Sequence, residues 1–200
     1  MGYRKEKKQK NQATTNLLSK LSTGWQSRYP VLLFVGGFAL LMGVFYIVYL
    51  SHWFNMHIQP LILSVNASLS SRLLNLFAQN TQVISSTIYS PVFSVSIALG
   101  CDGVEAMALF SCALLAFPSK WKAKIIGLAV GISFLFILNI LRVVTLFFTG
   151  VYYPRAFEVM HIEVWQVIFI LLALVLWMLW LRYVVLPVNP ANDAKDKANS

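Results

Sequence analysis

Apolar residues fall along this chain in four long blocks, not in the short alternations of a soluble domain. Val31 to Leu50 is an uncharged run of about 20 residues, long enough as a helix to cross a hydrocarbon core of roughly 30 Å. A second block opens at Cys101 and ends at Phe117, a third runs from Ile125 to about Phe148 with one Arg inside it, and a fourth covers Val164 to about Val185. The pattern predicts an all-α polytopic membrane protein with about four transmembrane helices. Between the first two spans it changes twice. Ile62, Val65, Leu69, Leu73 and Leu76 recur at steps of three and four, predicting an amphipathic helix that lies on the membrane or on the bundle, with Ser64, Ser68 and Ser71 largely off the apolar stripe. From Thr81 to Leu99 β-branched and aromatic residues take over, and Phe93, Val95, Ile97 and Leu99 alternate with Ser94, Ser96 and Ala98. This predicts a small β-hairpin, turning at Ser90-Pro91, whose second strand delivers the chain to Gly100 and Cys101.

Composition reinforces the membrane assignment, because 58% of the 200 residues are hydrophobic and the mean hydropathy is +0.68. Residues 1–24 and 189–200 are polar and without periodicity, predicting disordered cytoplasmic tails around one membrane-embedded domain at 25–188. The first apolar block exceeds the roughly 7–15 residues of a signal-peptide core, and no small-x-small cleavage site follows it, so it is expected to remain as a signal anchor. Orientation follows from charge, since Lys and Arg beside a span stay on the cytoplasmic side. Arg4, Lys5, Lys7, Lys8, Lys10, Lys20 and Arg28 precede span one, Lys120, Lys122 and Lys124 link spans two and three, and Arg182, Lys195 and Lys197 follow span four. These are thirteen of the sixteen basic residues, and they place both termini in the cytoplasm and leave Arg72, Arg142 and Arg155 outside. The net charge of +9 is therefore mainly a topology signal, with a basic N-terminus also suited to anionic lipid headgroups; nucleic acid is not an expected partner.

That topology brings Cys101, Arg142 and His161 to the same outward face. Cys101 opens the second span after Gly100, where helix N-terminal N–H groups would favour a thiolate. Cys112 lies eleven residues further along, about 16 Å away on a helix, too far for a disulfide. It reads as a buried apolar residue. Arg142 stands inside an apolar span, which is costly unless it has partners or a task, such as binding the oxyanion of a tetrahedral intermediate. Asn139, one turn earlier, could hold Arg142 or give a second bond. His161 precedes the last span and could take a proton from a thiol and return it to a leaving amine. Asp102, Glu105, Glu158 and Glu163 flank the Cys and the His. Glu105, one turn below Cys101, is the expected partner of Arg142, whereas Glu158 and Glu163 read as solvated loop charges. There is no metal-ligand spacing, phosphate loop or dinucleotide fingerprint, so no metal or cofactor is expected. Gly127 and Gly131, four apart, read as a helix-packing face.

Cys101-Asp102-Gly103-Val104-Glu105, then Asn139-Ile140-Leu141-Arg142, then His161 occur in an order that resembles the exosortase/archaeosortase family of membrane cysteine transpeptidases, most like the short exosortase H type. The resemblance spans about residues 85–185. It implies cleavage of exported proteins that end in a recognition motif, one transmembrane helix and a basic cluster, at the outer face of the cytoplasmic membrane. It also implies Cys101 as nucleophile, His161 as general base and acid, and Arg142 as electrostatic stabiliser, with Asn139 and Asp102 in the matching motifs. The competing expectation is a non-catalytic scaffold or substrate-binding subunit of an export or polysaccharide system, in which Arg142 pairs helices. A small transporter fits less well, because transporter sites lie near the midplane.

Overall fold

The computed structural model describes residues 29–98 and 100–182. The tails expected at 1–24 and 189–200, the end of the fourth apolar block and Leu99 lie outside them. Helix α1 (Tyr29–Tyr49) leads to α2 (His52–His57), whose N-cap Ser51 accepts a hydrogen bond from the Phe54 N–H. Helix α3 (Gln59–Leu76) follows, with a proline in its first turn, where the missing N–H costs nothing. Strands β1 (Gln82–Ile84), β2 (Thr87–Tyr89) and β3 (Ser94–Ser96) form an antiparallel sheet in that order. Helices α4 (Val104–Ala116) and α5 (Trp121–Tyr152) come next. A 3-10 turn (Pro154–Ala156), a short turn α6 (Phe157–Val159), a π-helical turn (Met160–Val164) and α7 (Trp165–Trp180) complete the chain.

Among the described residues three helical stretches are long and apolar enough to cross a membrane: Tyr29–Tyr49, Trp121–Tyr152 and Pro154–Trp180. The expected second span is shorter than its apolar block. Its helix α4 has 13 residues, about 20 Å, against a hydrocarbon core of roughly 30 Å. Both ends have a local cause. Cys101 does not open the helix, because the chain turns through Gly103 at φ 75° first, and Phe117 is extended, as the residue before a proline prefers to be.

The predicted hairpin is a three-stranded meander. Ser90-Pro91 turns β2 into β3, as the alternation implied, but a second turn at Ser85-Ser86 splits the preceding segment into β1 and β2. Ser85 takes φ 57° without being Gly, Asn or Asp, so the usual turn signal was missing. Helix α3 also differs from its expected orientation. Its buried face is Asn66, Ala67, Ser70, Ser71 and Leu74, while Val65 and Leu76 of the apolar stripe are exposed. Small side chains let α3 approach α5 closely, and in a membrane protein the apolar stripe can face outward.

The core is in two parts. At the end that carries the sheet, Ala67 and Leu74 of α3, Ile88 and Val95 of the sheet, and Val143 and Phe147 of α5 pack together. At the other end, Phe110 and Leu114 of α4 meet Leu135 of α5 and Ala173 and Trp180 of α7. A Cβ at Gly131 would overlap the Phe110 ring and one at Gly127 would overlap Trp180, so the two glycines are a packing face for α4 and α7. Lys124 Nζ donates to the Leu115 carbonyl at 2.6 Å and Trp180 Nε1 to the Ala123 carbonyl at 2.9 Å, closing that end.

Candidate active site

Three separate elements converge at the sheet end of α5. The strand-to-helix loop supplies Cys101, α5 supplies Arg142, and the π-helical turn supplies His161. Cys101 Sγ lies 2.6 Å from His161 Nε2. Arg142 is 3% exposed; its Nη2 reaches the same sulfur at 3.9 Å and donates to the His161 carbonyl at 3.3 Å. The guanidinium also lies over the Phe169 ring, 5.5 Å from its centroid, so its planar face is covered as well as its edge. Phe157, one turn before His161, stands 5.7 Å from the imidazole centroid to centroid, with the two rings tilted by 36°. A π-turn widens the helix locally, which is how a helix otherwise committed to packing aims one side chain sideways.

The thiol is not activated in the way its place in the sequence implied. Cys101 precedes the first residue of α4 by three positions, and its half-buried sulfur is pushed above the ordinary cysteine range by desolvation. Arg142 opposes that shift and Asp102 adds to it. The resting pair is therefore a thiol against an imidazole, with Arg142 placed to favour negative charge on sulfur or on an oxygen beside it.

The supporting residues act differently from the expectation. Glu105 does not pair with Arg142; its carboxylate interacts with the Tyr46 hydroxyl of α1. Asn139 does not hold Arg142 either. It is fully buried, donates to Asn66 Oδ1 at 3.0 Å and packs against Gly103, so it ties α5 to α3 and to the nucleophile loop. Asp102 is fully buried; Oδ1 accepts the Val104 N–H at 3.1 Å and starts α4. Its other oxygen has no partner within ordinary hydrogen-bonding distance but interacts at longer range with the buried Tyr49 hydroxyl. Burial raises the Asp102 carboxyl above its usual range, and the Val104 N–H works against that. Glu158 and Glu163 are exposed. No motif marks Asn66 or Tyr49 in the sequence; the one available signal is that Asn66, four residues after Ile62 and three before Leu69, is an amide at the border of an otherwise apolar stripe.

A cavity of about 180 Å³ opens beside the sulfur, lined by Cys101, Arg142 and His161 on one side and by β3 with Phe93 and Phe157 on the other. Drug-sized and cofactor pockets run to roughly 300–1,000 Å³, so this space matches one or two side chains of a peptide. Among the described residues no three His, Cys, Asp or Glu side chains gather as metal ligands.

A sequence model described as transmembrane exosortase, EpsH type, matches residues 30–179, three quarters of the chain. The chain belongs to the transmembrane exosortase family. No curated protein and no solved structure matches it. The matched range runs from the start of α1 to the penultimate residue of α7, so every element that builds the candidate site lies within it. Membership carries the general activity of the family, processing of sorting signals by a transpeptidase of a membrane-embedded type.

Proposed function

We propose that this exosortase-family chain is a membrane cysteine transpeptidase or endopeptidase that cuts C-terminal sorting signals from exported proteins through a thioester on Cys101. The observation that carries the proposal is the meeting of Cys101 Sγ, His161 Nε2 and Arg142 Nη2 beside one cavity, in a chain of this family. His161 takes the thiol proton as sulfur attacks the scissile carbonyl carbon. The carbonyl oxygen becomes an oxyanion, which Arg142 neutralises in a site shielded from bulk water. Collapse breaks the C–N bond, and His161 returns the proton to the departing amine. The acyl thioester is then attacked by an amine or by water; His161 takes the proton of that nucleophile and gives it back to the leaving sulfur.

In this reading the substrate helix docks laterally in the membrane, and its basic cluster lies on the side of Lys120 and Lys122. Short α4 acts as a fourth membrane-inserted segment. Both termini are cytoplasmic, and the thiol faces outward in the cytoplasmic membrane, as the distribution of basic residues supports.

The test is co-expression with an exported reporter that ends in a recognition motif, a transmembrane helix and a basic tail, read by gel mobility. Wild type is expected to shorten the reporter, and inserted Cys101→Ala and Cys101→Ser to leave it intact. Processing that persists in both would remove the thiol from the chemistry and favour a scaffold.

A further inference from the structure

We propose that the free edge of strand β3 is the docking strand for the peptide that is cut, so that the substrate joins the sheet as a fourth, extended strand. The inference deepens the function proposed above and rests on it for the identity of the peptide. Three observations carry it. The first is the direction of backbone groups. In an antiparallel ladder, alternate residues exchange bonds with the partner and the others face away from it. Ser90 N donates to the Phe93 carbonyl at 3.1 Å and Ile97 N to the Ser86 carbonyl at 3.0 Å, with Ile88 opposite Val95 between them. Residues 93, 95 and 97 therefore address β2, and the N–H and C=O groups of Ser94 and Ser96 point to the opposite edge. β3 is the last strand of the sheet, and among the described residues nothing pairs with that edge.

The second observation is place. Ser94 and Ser96 line the same cavity as Cys101, Arg142 and His161, and Cys101 follows Ser96 by five residues in the chain. A strand laid along this edge leads to the sulfur. The third is the absence of the usual protection. Exposed edges are blunted by charge, by proline or by a bulge, yet no Lys, Arg, Asp or Glu occurs from Thr81 to Ala98, and Pro91 lies before β3 rather than in it. Both edges of the sheet, β1 and β3, are uncharged, and β3 is the one that borders the thiol.

An extended polypeptide is the occupant these features select. Edge pairing reads backbone amides, which every peptide carries, while the apolar walls from Phe93, Leu146 and Phe157 would take one side chain of each alternating pair. It requires the scissile segment to be unwound, which fits the stretch between a folded exported domain and its membrane helix.

Two variants and a cross-link test this. Ser96→Pro removes the N–H aimed at the edge and no bond to β2, and it leaves Val95 in the extended conformation that a following proline requires. With the reporter cleaved by wild type, Ser96→Pro is expected to lose on the order of tenfold more cleavage than Ser96→Ala, which keeps the N–H, as one lost backbone bond implies. Alkylation of Cys101 by iodoacetamide should stay at the wild-type rate, showing the site intact. Equal cleavage by the two variants would overturn the proposal.

Because Ser96→Pro can fail to fold, a second arm uses Cys101→Ala membranes carrying Ser96→Cys and a reporter with single cysteines scanned through its extended segment. Disulfide formation at alternate positions supports strand pairing. Cross-linking at every position, or at none, overturns it. The two proposals separate cleanly. Alternating cross-links with no cleavage by wild type would keep the docking edge and remove the thioester chemistry; cleavage without alternation would do the reverse.

Discussion

Gly103→Ala tests whether the nucleophile loop is built by backbone geometry or merely tolerates it. Gly103 sits at φ 75°, where an L-residue with a Cβ costs roughly 1–2 kcal/mol. The new methyl would also lie 3.0 Å from Asn139 Cγ and 3.1 Å from its Cβ. Asn139 cannot swing aside cheaply, because it is fully buried and bonded to Asn66, so overpacking adds about 1–3 kcal/mol. The sum is about 2–5 kcal/mol. At roughly 2–4 °C per kcal/mol for a chain of this size, the thermal midpoint should fall by about 4–20 °C. Tryptophan fluorescence in detergent micelles reads the midpoint, and alkylation of Cys101 reads the loop itself. Gly36→Ala is the comparator: its Cβ would meet nothing within 4 Å, and a helical Gly-to-Ala change is neutral or stabilising by up to about 1 kcal/mol. A Gly103→Ala midpoint within about 2 °C of wild type, with Cys101 alkylated at its usual rate, would refute the argument.

Three further outcomes follow from the same structure. Only the thiolate alkylates, and burial raises the Cys101 thiol, so its alkylation should rise with pH to a midpoint above that of free cysteine; Arg142→Gln removes the opposing charge and should move it further alkaline, and a lower midpoint would sink the assignment. Asn139→Ala strands the buried Asn66 oxygen and should cost roughly 1–3 kcal/mol in micelle unfolding, whereas the double variant with Asn66→Ala should cost less than the two single changes added; strict additivity would deny the pairing. Gly131→Ala should destabilise despite its better helix propensity, because its Cβ would overlap the Phe110 ring, and Phe110→Ala should recover part of the loss when combined with it, a recovery that a double-mutant cycle would either show or exclude.

What was legible in the sequence was whatever one residue type or one period announces. A thiol, a guanidinium and an imidazole in otherwise apolar surroundings marked the candidate site, and topology alone placed them at one end. The alternation after Pro91 located β3, and the glycine pair located the face that meets α4 and α7. Partnerships were not legible, since each depends on which helix face turns inward. Glu105 and Asn139 were assigned to Arg142 by spacing along the chain, but Tyr46 and Asn66 arrive from α1 and α3 and claim them. The orientation of α3 was hidden for a related reason. An apolar stripe names the buried face only in water; beside lipid the small polar face can pack inward instead. The turn at Ser85 and the π-turn at His161 carry no compositional signal.

The 32 residues of α5 extend about 48 Å, well beyond a hydrocarbon core of roughly 30 Å. Lys122 and Arg142, twenty residues apart on it, are separated by about that same 30 Å. With Lys122 at one water boundary, Arg142 falls at the other, and Val143 to Tyr152 stand clear as a post around which α3 and the sheet are built. The helix thus works as a ruler. Under the proposed function it would set the height of the sulfur above the lipid, so that the bond cut would be chosen partly by its distance from the substrate's own membrane anchor. One inserted residue moves that bond by about 3.3 Å in an extended segment. Spacing, as much as sequence, would then be a criterion for what the proposed enzyme cuts.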